Sequence, residues 1–452
     1  MSNDYSNTAV KRVRRISRNF FLHIHSPKVH PVALKPTSTF GLGIILGFLF
    51  MIMIITGFIL MMNYTPSVER AYDSVKDIMF IVPGGRYIRN IHRWASYGMV
   101  LVSLLHMIRT FLTGSYYGAR KLNWIIGVVI FLVILFMSFS GYLLPWDQLS
   151  YWAVTIGSNI AASARELTDI LGITNTFDIG GFMKNILIGD DMVGQPALTR
   201  FFMLHVIFLP VTLLVLTGFH LWRIRRDGGL AAVTTIHKQE SERIYSWPLL
   251  LWIELSILLM ILVSLLILAF FLDAPLKEQA NPSFPENPAK SPWYFLGIQE
   301  MVSYSAFAGG LLIPLLFIIF LISIPYVDRE DIYSGKWFSG IKGRKIFNWS
   351  VVFSIIVTVV VIWIEVCFGW LRDWFDHVPA ILVVLVNPAT IAAIGYTIWS
   401  VILFKRSGSK RMAAIGLFTC AITGLVIFTV VGIWFRGPNW EFFWSSSQWP
   451  VL

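Results

Sequence analysis

Charge is scarce in this chain. Asp and Glu together number 25 of 452 residues, all charged residues make up 13%, and hydrophobic residues make up 56%. Such a composition excludes a soluble globular domain and points to an integral membrane protein. Cysteine is nearly missing: Cys367 and Cys420 are the two present, both in apolar stretches, which excludes a disulfide framework. A cleavable leader is not expected, because the first apolar run starts near Phe40 and is too long for a signal h-region. Low-complexity tracts and short-period repeats are also lacking, so solenoid and disordered architectures drop out.

What is present is a series of long apolar runs. Nine can cross roughly 30 Å of hydrocarbon: residues 40–62, 92–113, 124–145, 201–222, 247–272, 302–326, 347–369, 380–404 and 412–435. A backbone in lipid must satisfy its own hydrogen bonds, so the expected fold is an all-α integral membrane protein. The net charge of +11 reflects orientation, not nucleic-acid binding. Residues 1–39 carry Lys11, Arg12, Arg14, Arg15, Arg18, Lys28 and Lys35 against Asp4 alone. The connections near 114–123, 223–246, 327–346 and 405–411 are also basic, whereas 147–200 holds six acids and three bases. The positive-inside rule then places the N-terminus in the cytoplasm and the C-terminus outside. The expected units are an N-terminal segment 1–39, a four-helix bundle 40–226, a linker 227–246, a second helical unit 247–370 and a two-helix extension 371–452.

Ionisable groups inside spans are costly and mark function by default. Four histidines sit there: His92 and His106 on the second span, His205 and His220 on the fourth. Thirteen residues separate the first pair and fourteen the second, about 21–22 Å of helix in each case. Each pair returns to roughly one face, within about 60°. Two such helices side by side would hold two flat cofactors, one near each membrane surface, each between two imidazoles. Bis-histidine haem is the natural candidate. No C-x-x-C-H motif is present, so the haem is expected to be non-covalent b-type. His23, His25, His30, His237 and His377 lie outside the spans and are read as solvated or structural.

Glycines repeat the spacing. Gly43 and Gly57 on the first span are fourteen apart, as are Gly127 and Gly141 on the third. A residue without a side chain lets backbone approach a flat ring. Helices two and four would thus ligate, and helices one and three would wall. Arg89 and Arg109, three residues outside the ladder at its two ends, are placed to pair with propionates.

At this point the chain resembles cytochrome b of the quinol-oxidising cytochrome bc complexes. The stretches that carry the resemblance are RYIRNIHRWASYGMVLVSLLHMIRTFLTGSY at 86–116, ITGFILMMNYTPSVERAYDSV at 55–75, SGYLLPWDQLSYWAVTIGSNI at 140–160, FHLWRIRRDGG at 219–229 and NPAKSPWYFLGIQEM at 287–301. The first half is most similar to the chloroplast-type b6 protein, and the second, to about 370, to that system's separate subunit IV, fused here as in many bacteria. The resemblance implies that His92 and His205 bind a low-potential haem near the outer side. It implies that His106 and His220 bind a high-potential haem near the cytoplasmic side. Tyr142, Pro145, Trp146, Trp293 and Tyr294 would line the quinol-oxidation pocket. One electron would pass to a Rieske iron–sulfur protein and a c-type cytochrome, and the other would cross the membrane to a quinone-reduction site. A dimeric complex in a bacterial cytoplasmic membrane is implied as well.

Three departures stand out. The family's Pro-Glu-Trp-Tyr motif reads Ser291-Pro292-Trp293-Tyr294 here, so its proton-accepting glutamate is missing. Glu300, two helical turns beyond Trp293, is the expected substitute and Asp147 the next candidate; Glu254 and Glu365 also fall within spans. Gly41 stands where the chloroplast-type protein attaches a further haem through cysteine. The last two helices exceed the subunit IV pattern, with lipid-facing packing or docking of another subunit expected. Menaquinol is weakly favoured by the RRDGG connection and the altered motif. The alternatives are a haem-b anchor subunit of another quinone enzyme, a proton-relaying transporter, and a cytochrome b whose acceptor is not a Rieske protein.

Overall fold

The computed structural model describes residues 28–29, 31–227, 229, 244–330 and 334–450. His23, His25, His30 and His237 lie outside these residues. Among the described residues, nine helices are long and apolar enough to cross a membrane, one for each expected span.

The elements that matter below are α1 (Leu42–Met61), α2 (Gly85–Leu112), α3 (Lys121–Tyr142), α4 (Gln148–Ala162) and α5 (Gln195–Arg226). The second half adds α6 (Leu249–Phe271), α7 (Trp293–Tyr304), α8 (Ala308–Val327), α9 (Ile341–Phe368), α10 (Pro388–Ser407) and α11 (Lys410–Trp434). The spans form because a long apolar run folded as a helix closes its backbone bonds within itself. Their lipid-facing residues remain exposed, as Phe58, Leu214, Val215, Leu259 and Phe270 show. The membrane supplies the apolar contact that a core would otherwise give.

α1 packs on α2, α2 on α3, and α3 on α5, closing the four-helix bundle of the first half. α6 lies against α2 and α1. The sixth expected span differs from expectation. The chain breaks at Ser305, so 302–326 is the end of the short α7 followed by α8, which opens with a π-helical turn at Ala308–Leu312. A second π turn, Leu204–Phe208, lies inside α5 and contains His205.

In the C-terminal extension α10 keeps exposed apolar residues such as Ile394 and Ile398, as lipid-facing packing would, whereas α11 is enclosed. α11 packs on α7, α9 and α10. Half of its most apolar window is buried, more than the 44% of α2, the next most enclosed described span. Close approach makes this contact: a Cβ on Gly297 of α7 would stand 2.6 Å from Thr429 Oγ1 of α11, and one on Gly432 would stand 2.9 Å from Leu296 Cγ. Larger residues there would separate the helices.

Candidate haem and quinol site

The four ladder histidines come together in two pairs. The His92 and His205 rings lie 6.3 Å apart between centroids, at 75°. Subtracting roughly 1.1 Å of ring radius on each side leaves space for one metal with two nitrogen bonds of about 2 Å. His106 and His220 are close enough for their charges to interact. The π turn explains how unequal spacings match. At 100° per residue, fourteen steps fall about 40° short of whole turns and fifteen overshoot by about 60°. A π turn absorbs one residue, so the longer spacing on α5 is brought back to that of α2.

The ring nitrogens are sorted by their neighbours. His205 Nδ1 lies 3.0 Å from Met137 O, a carbonyl that can only accept, so Nδ1 carries the proton. His92 Nδ1 lies 2.9 Å from Thr56 Oγ1, whose own hydrogen is directed to Ile52 O at 2.8 Å. Nδ1–H therefore donates there too. In both rings Nε2 is left with a lone pair, the tautomer a metal-ligating imidazole needs.

The glycine ladder meets the histidines one to one. A Cβ on Gly57 would stand 3.3 Å from His92 Cε1, one on Gly127 3.5 Å from His220 Cε1, and one on Gly43 3.8 Å from His106 Cε1. At Gly141 a Cβ would collide with His205 Cε1 and stand 2.8 Å from its Nδ1. Each glycine therefore shares a depth with a different imidazole. Four bare walls and four imidazoles, two of them oriented by hydrogen bonds, fit two flat iron porphyrins.

The arginines differ in what they hold. Arg89 donates to Ala274 O at 2.7 Å and Pro275 O at 2.8 Å, and Arg109 donates twice to Ser38 O. Both brace the backbone at the two ends of the ladder. Sequence reasoning passed over Arg93. It follows His92, lies over the Tyr97 and Tyr142 rings, and has a buried Nε without a hydrogen-bond partner among the described residues. The signal that could have found it is its place next to a ligand in an apolar run. At Gly41, Ile257 Cδ1 stands 2.9 Å from where a Cβ would be, so a side chain of α6 covers that position.

Beside the His92–His205 level lies a cavity of about 420 Å³ between α3, α4, residues 289–299 and the π turn of α8. Tyr142 lines it. The other four residues expected there do not, for physical reasons. Pro145 and Trp146 form the turn from α3 to α4, with Trp146 buried at φ 52°. Trp293 and Tyr294 pack toward the bundle instead, Tyr294 against Tyr97 at 5.7 Å. Their neighbours Ser291, Pro292 and Phe295 form the wall.

Neither expected proton acceptor faces the cavity. Asp147 caps α4: Oδ1 accepts from Ser150 N at 2.9 Å and Oδ2 from Lys277 N at 2.9 Å. Glu300 is fully buried against α11 and paired with Arg436 at 2.7 Å. It also accepts from Tyr304 Oη at 2.6 Å and Trp440 Nε1 at 2.8 Å. Burial, then the Glu300 charge, holds the Tyr304 phenol well above its ordinary pKa. Burial alone would lower the Arg436 pKa, but the Glu300 charge and hydrogen bonds overcome it and raise that pKa. Glu365 pairs with the same guanidinium at 3.1 Å, and exposed His377 lies in the connection before α10.

The comparisons agree with this geometry. The family described as cytochrome b/b6/petB matches residues 28–228. Cytochrome b6 of Prochlorococcus marinus (strain MIT 9211) is 40% identical over 179 residues, 40% of this chain and 77% of that protein. The chain belongs to the cytochrome b/b6 family. Cytochrome b6 of Prochlorococcus marinus (strain MIT 9515) matches to the same extent. In structure, a chain of a hyperthermophilic respiratory Complex III superposes with a TM-score of 0.64 at 24% identity, covering 95% of this chain and 97% of that one. That likeness extends the shared fold through the second half. As a member of this family, the chain is an electron-transport haem protein of the membrane that interacts with quinone.

Proposed function

We propose that the chain is the di-haem cytochrome b subunit of a quinol:cytochrome c oxidoreductase. The pairing of four glycines with four imidazoles at two depths is the observation that carries this reading. His92 and His205 would hold the low-potential haem, and His106 and His220 the high-potential one. When bound, the two haems supply a path for one electron across the membrane. The protein orients the ligand rings through Thr56 and Met137 O and excludes water with apolar helix faces. Tyr142 immediately follows Gly141, so the cavity wall and the haem wall share one helical turn. A quinol bound there would lie next to its electron acceptor.

The remaining parts follow the resemblance. A Rieske iron–sulfur protein and a c-type cytochrome take the other electron, quinone is reduced at the far level, and proton translocation follows from oxidation outside and reduction inside. The complex is a dimer in a bacterial cytoplasmic membrane, with the N-terminus inside and menaquinol as the favoured substrate. Glu300 and Asp147 would have to break the bonds described above to take a proton, so the reading does not rest on them. The test is spectroscopic and kinetic. The purified chain should give two b-type signals in a reduced-minus-oxidised spectrum, and its complex should reduce cytochrome c with quinol. A colourless protein ends the proposal.

A further inference from the structure

The two histidine levels differ in the residue that precedes each wall glycine. At the His92–His205 level the glycines follow hydroxyl residues: Thr56 before Gly57 and Ser140 before Gly141. At the His106–His220 level they follow apolar ones: Leu42 before Gly43 and Ile126 before Gly127. Both hydroxyls are buried and reach a ligand ring. Thr56 Oγ1 is 2.9 Å from His92 Nδ1. Ser140 Oγ is 3.3 Å from His205 Nδ1 and donates to Met137 O at 3.0 Å. Thr56 directs its own hydrogen to Ile52 O, so toward His92 it can only accept. At the other level His220 Nδ1 has the Asn123 main-chain carbonyl beside it, but it is outside hydrogen-bonding geometry with every described residue.

An imidazole that donates from Nδ1 becomes a more basic ligand at Nε2. A more basic ligand favours the more positive, oxidised iron and so lowers its reduction potential. Histidine is the ligand type at both levels, so ligand identity cannot separate the two potentials. The hydrogen bonds behind the rings can. We propose that Thr56 is a positioning residue for electron transfer: by accepting from His92 Nδ1 it holds the potential at the His92–His205 level below that at the His106–His220 level. The electron is thereby directed from the first level to the second. This rests on the di-haem reading above. One electron leaves one level and arrives at the other, and no proton changes owner at Thr56 or His92.

The test is a redox titration of the purified complex that follows its two b-type signals separately. Thr56→Val keeps the shape and removes the acceptor. It should raise the equilibrium constant for reduction of the lower-potential signal about 3- to 10-fold, the size of one net neutral hydrogen bond. At about 59 mV per tenfold for one electron, that is an upward shift of about 30–60 mV. The other signal should stay in place. Thr56→Ser, which restores the hydroxyl, should return the unsubstituted value. Thr56→Cys, whose sulfur accepts weakly, should fall between them, and it carries the test if Thr56→Val holds no haem. A lower-potential signal that stays put or moves down overturns the inference. Equal movement of both signals, or a shift that persists in Thr56→Ser, assigns Thr56 a packing role and also overturns it. If the unsubstituted protein lacks two b-type signals, the di-haem reading itself fails.

Discussion

The two halves of the chain treat buried polarity in opposite ways. In the first, four imidazoles stand between helices, and those of His92 and His205 are oriented by one ring nitrogen and leave the other free to ligate. In the second, buried charges satisfy one another at both ends of α11. Arg411 is fully buried and donates to Tyr116 Oη, Ser339 Oγ and Phe111 O. Its counter-charge Asp328, 3.8 Å away, accepts from the hydroxyls of Tyr116 and Tyr117. At the other end Arg436 joins Glu300, Glu365 and Trp440 O. A buried ion is tolerated only when its partners are complete. One half completes its partners within the chain, and the other leaves that to cofactors.

The comparison can be broken by experiment, starting where the effect is largest. His205→Leu should remove one of the two b-type signals and all quinol oxidation while leaving the second half folded; retention of both signals by absorbance would refute the pairing. The glycine walls should then show a gradient. Alanine at Gly141 should cost most haem occupancy, then Gly57, then Gly127, with Gly43 nearly silent, following the closeness of each Cβ to its imidazole. Haem-to-protein ratios check the order. In the second half, Arg436→Met should leave haem content intact but destabilise the protein by about 3–5 kcal/mol, because Glu300 is left buried without its counter-charge. Adding Glu300→Gln should recover much of that loss in thermal unfolding. Arg411→Met should cost less, because Asp328 stands 3.8 Å from its guanidinium whereas Glu300 stands 2.7 Å from that of Arg436.

The smallest effect is a pH effect at the surface. The hydrogen bonds from Arg86, then that from Asn90, hold the Asp273 carboxyl below its ordinary pKa of 3.8. The stability it contributes is therefore present above that value and lost as pH falls below it through the depressed pKa. Asp273→Asn should flatten that acid limb by slightly lowering stability at neutral pH, with stability below the depressed pKa nearly unchanged.

The spans and the ladder were legible because both are periodic, and periodicity is local information. Glu300 shows where that ends. The spacing predicts a face shared with Trp293, but Trp293 packs toward the bundle and Glu300 pairs with Arg436. Leu296, Gly297, Glu300 and Met301 are buried, while Phe295, Ile298 and Gln299 line the cavity. Its partner Arg436 is 136 residues away, beyond the reach of any motif.

The π turn at Leu204–Phe208 has a consequence for sequence length. It stores one surplus residue between the ligands of α5, so that surplus can be deleted. Shortening the chain by Val206 or Ile207 would let the turn rewind as ordinary α-helix, with His205 and His220 keeping their mutual register. The matching deletion in α2, for instance of Leu101, has no slack to draw on and would swing His106 by about 100° relative to His92. One ligand helix is thus tolerant of a missing residue and the other is not.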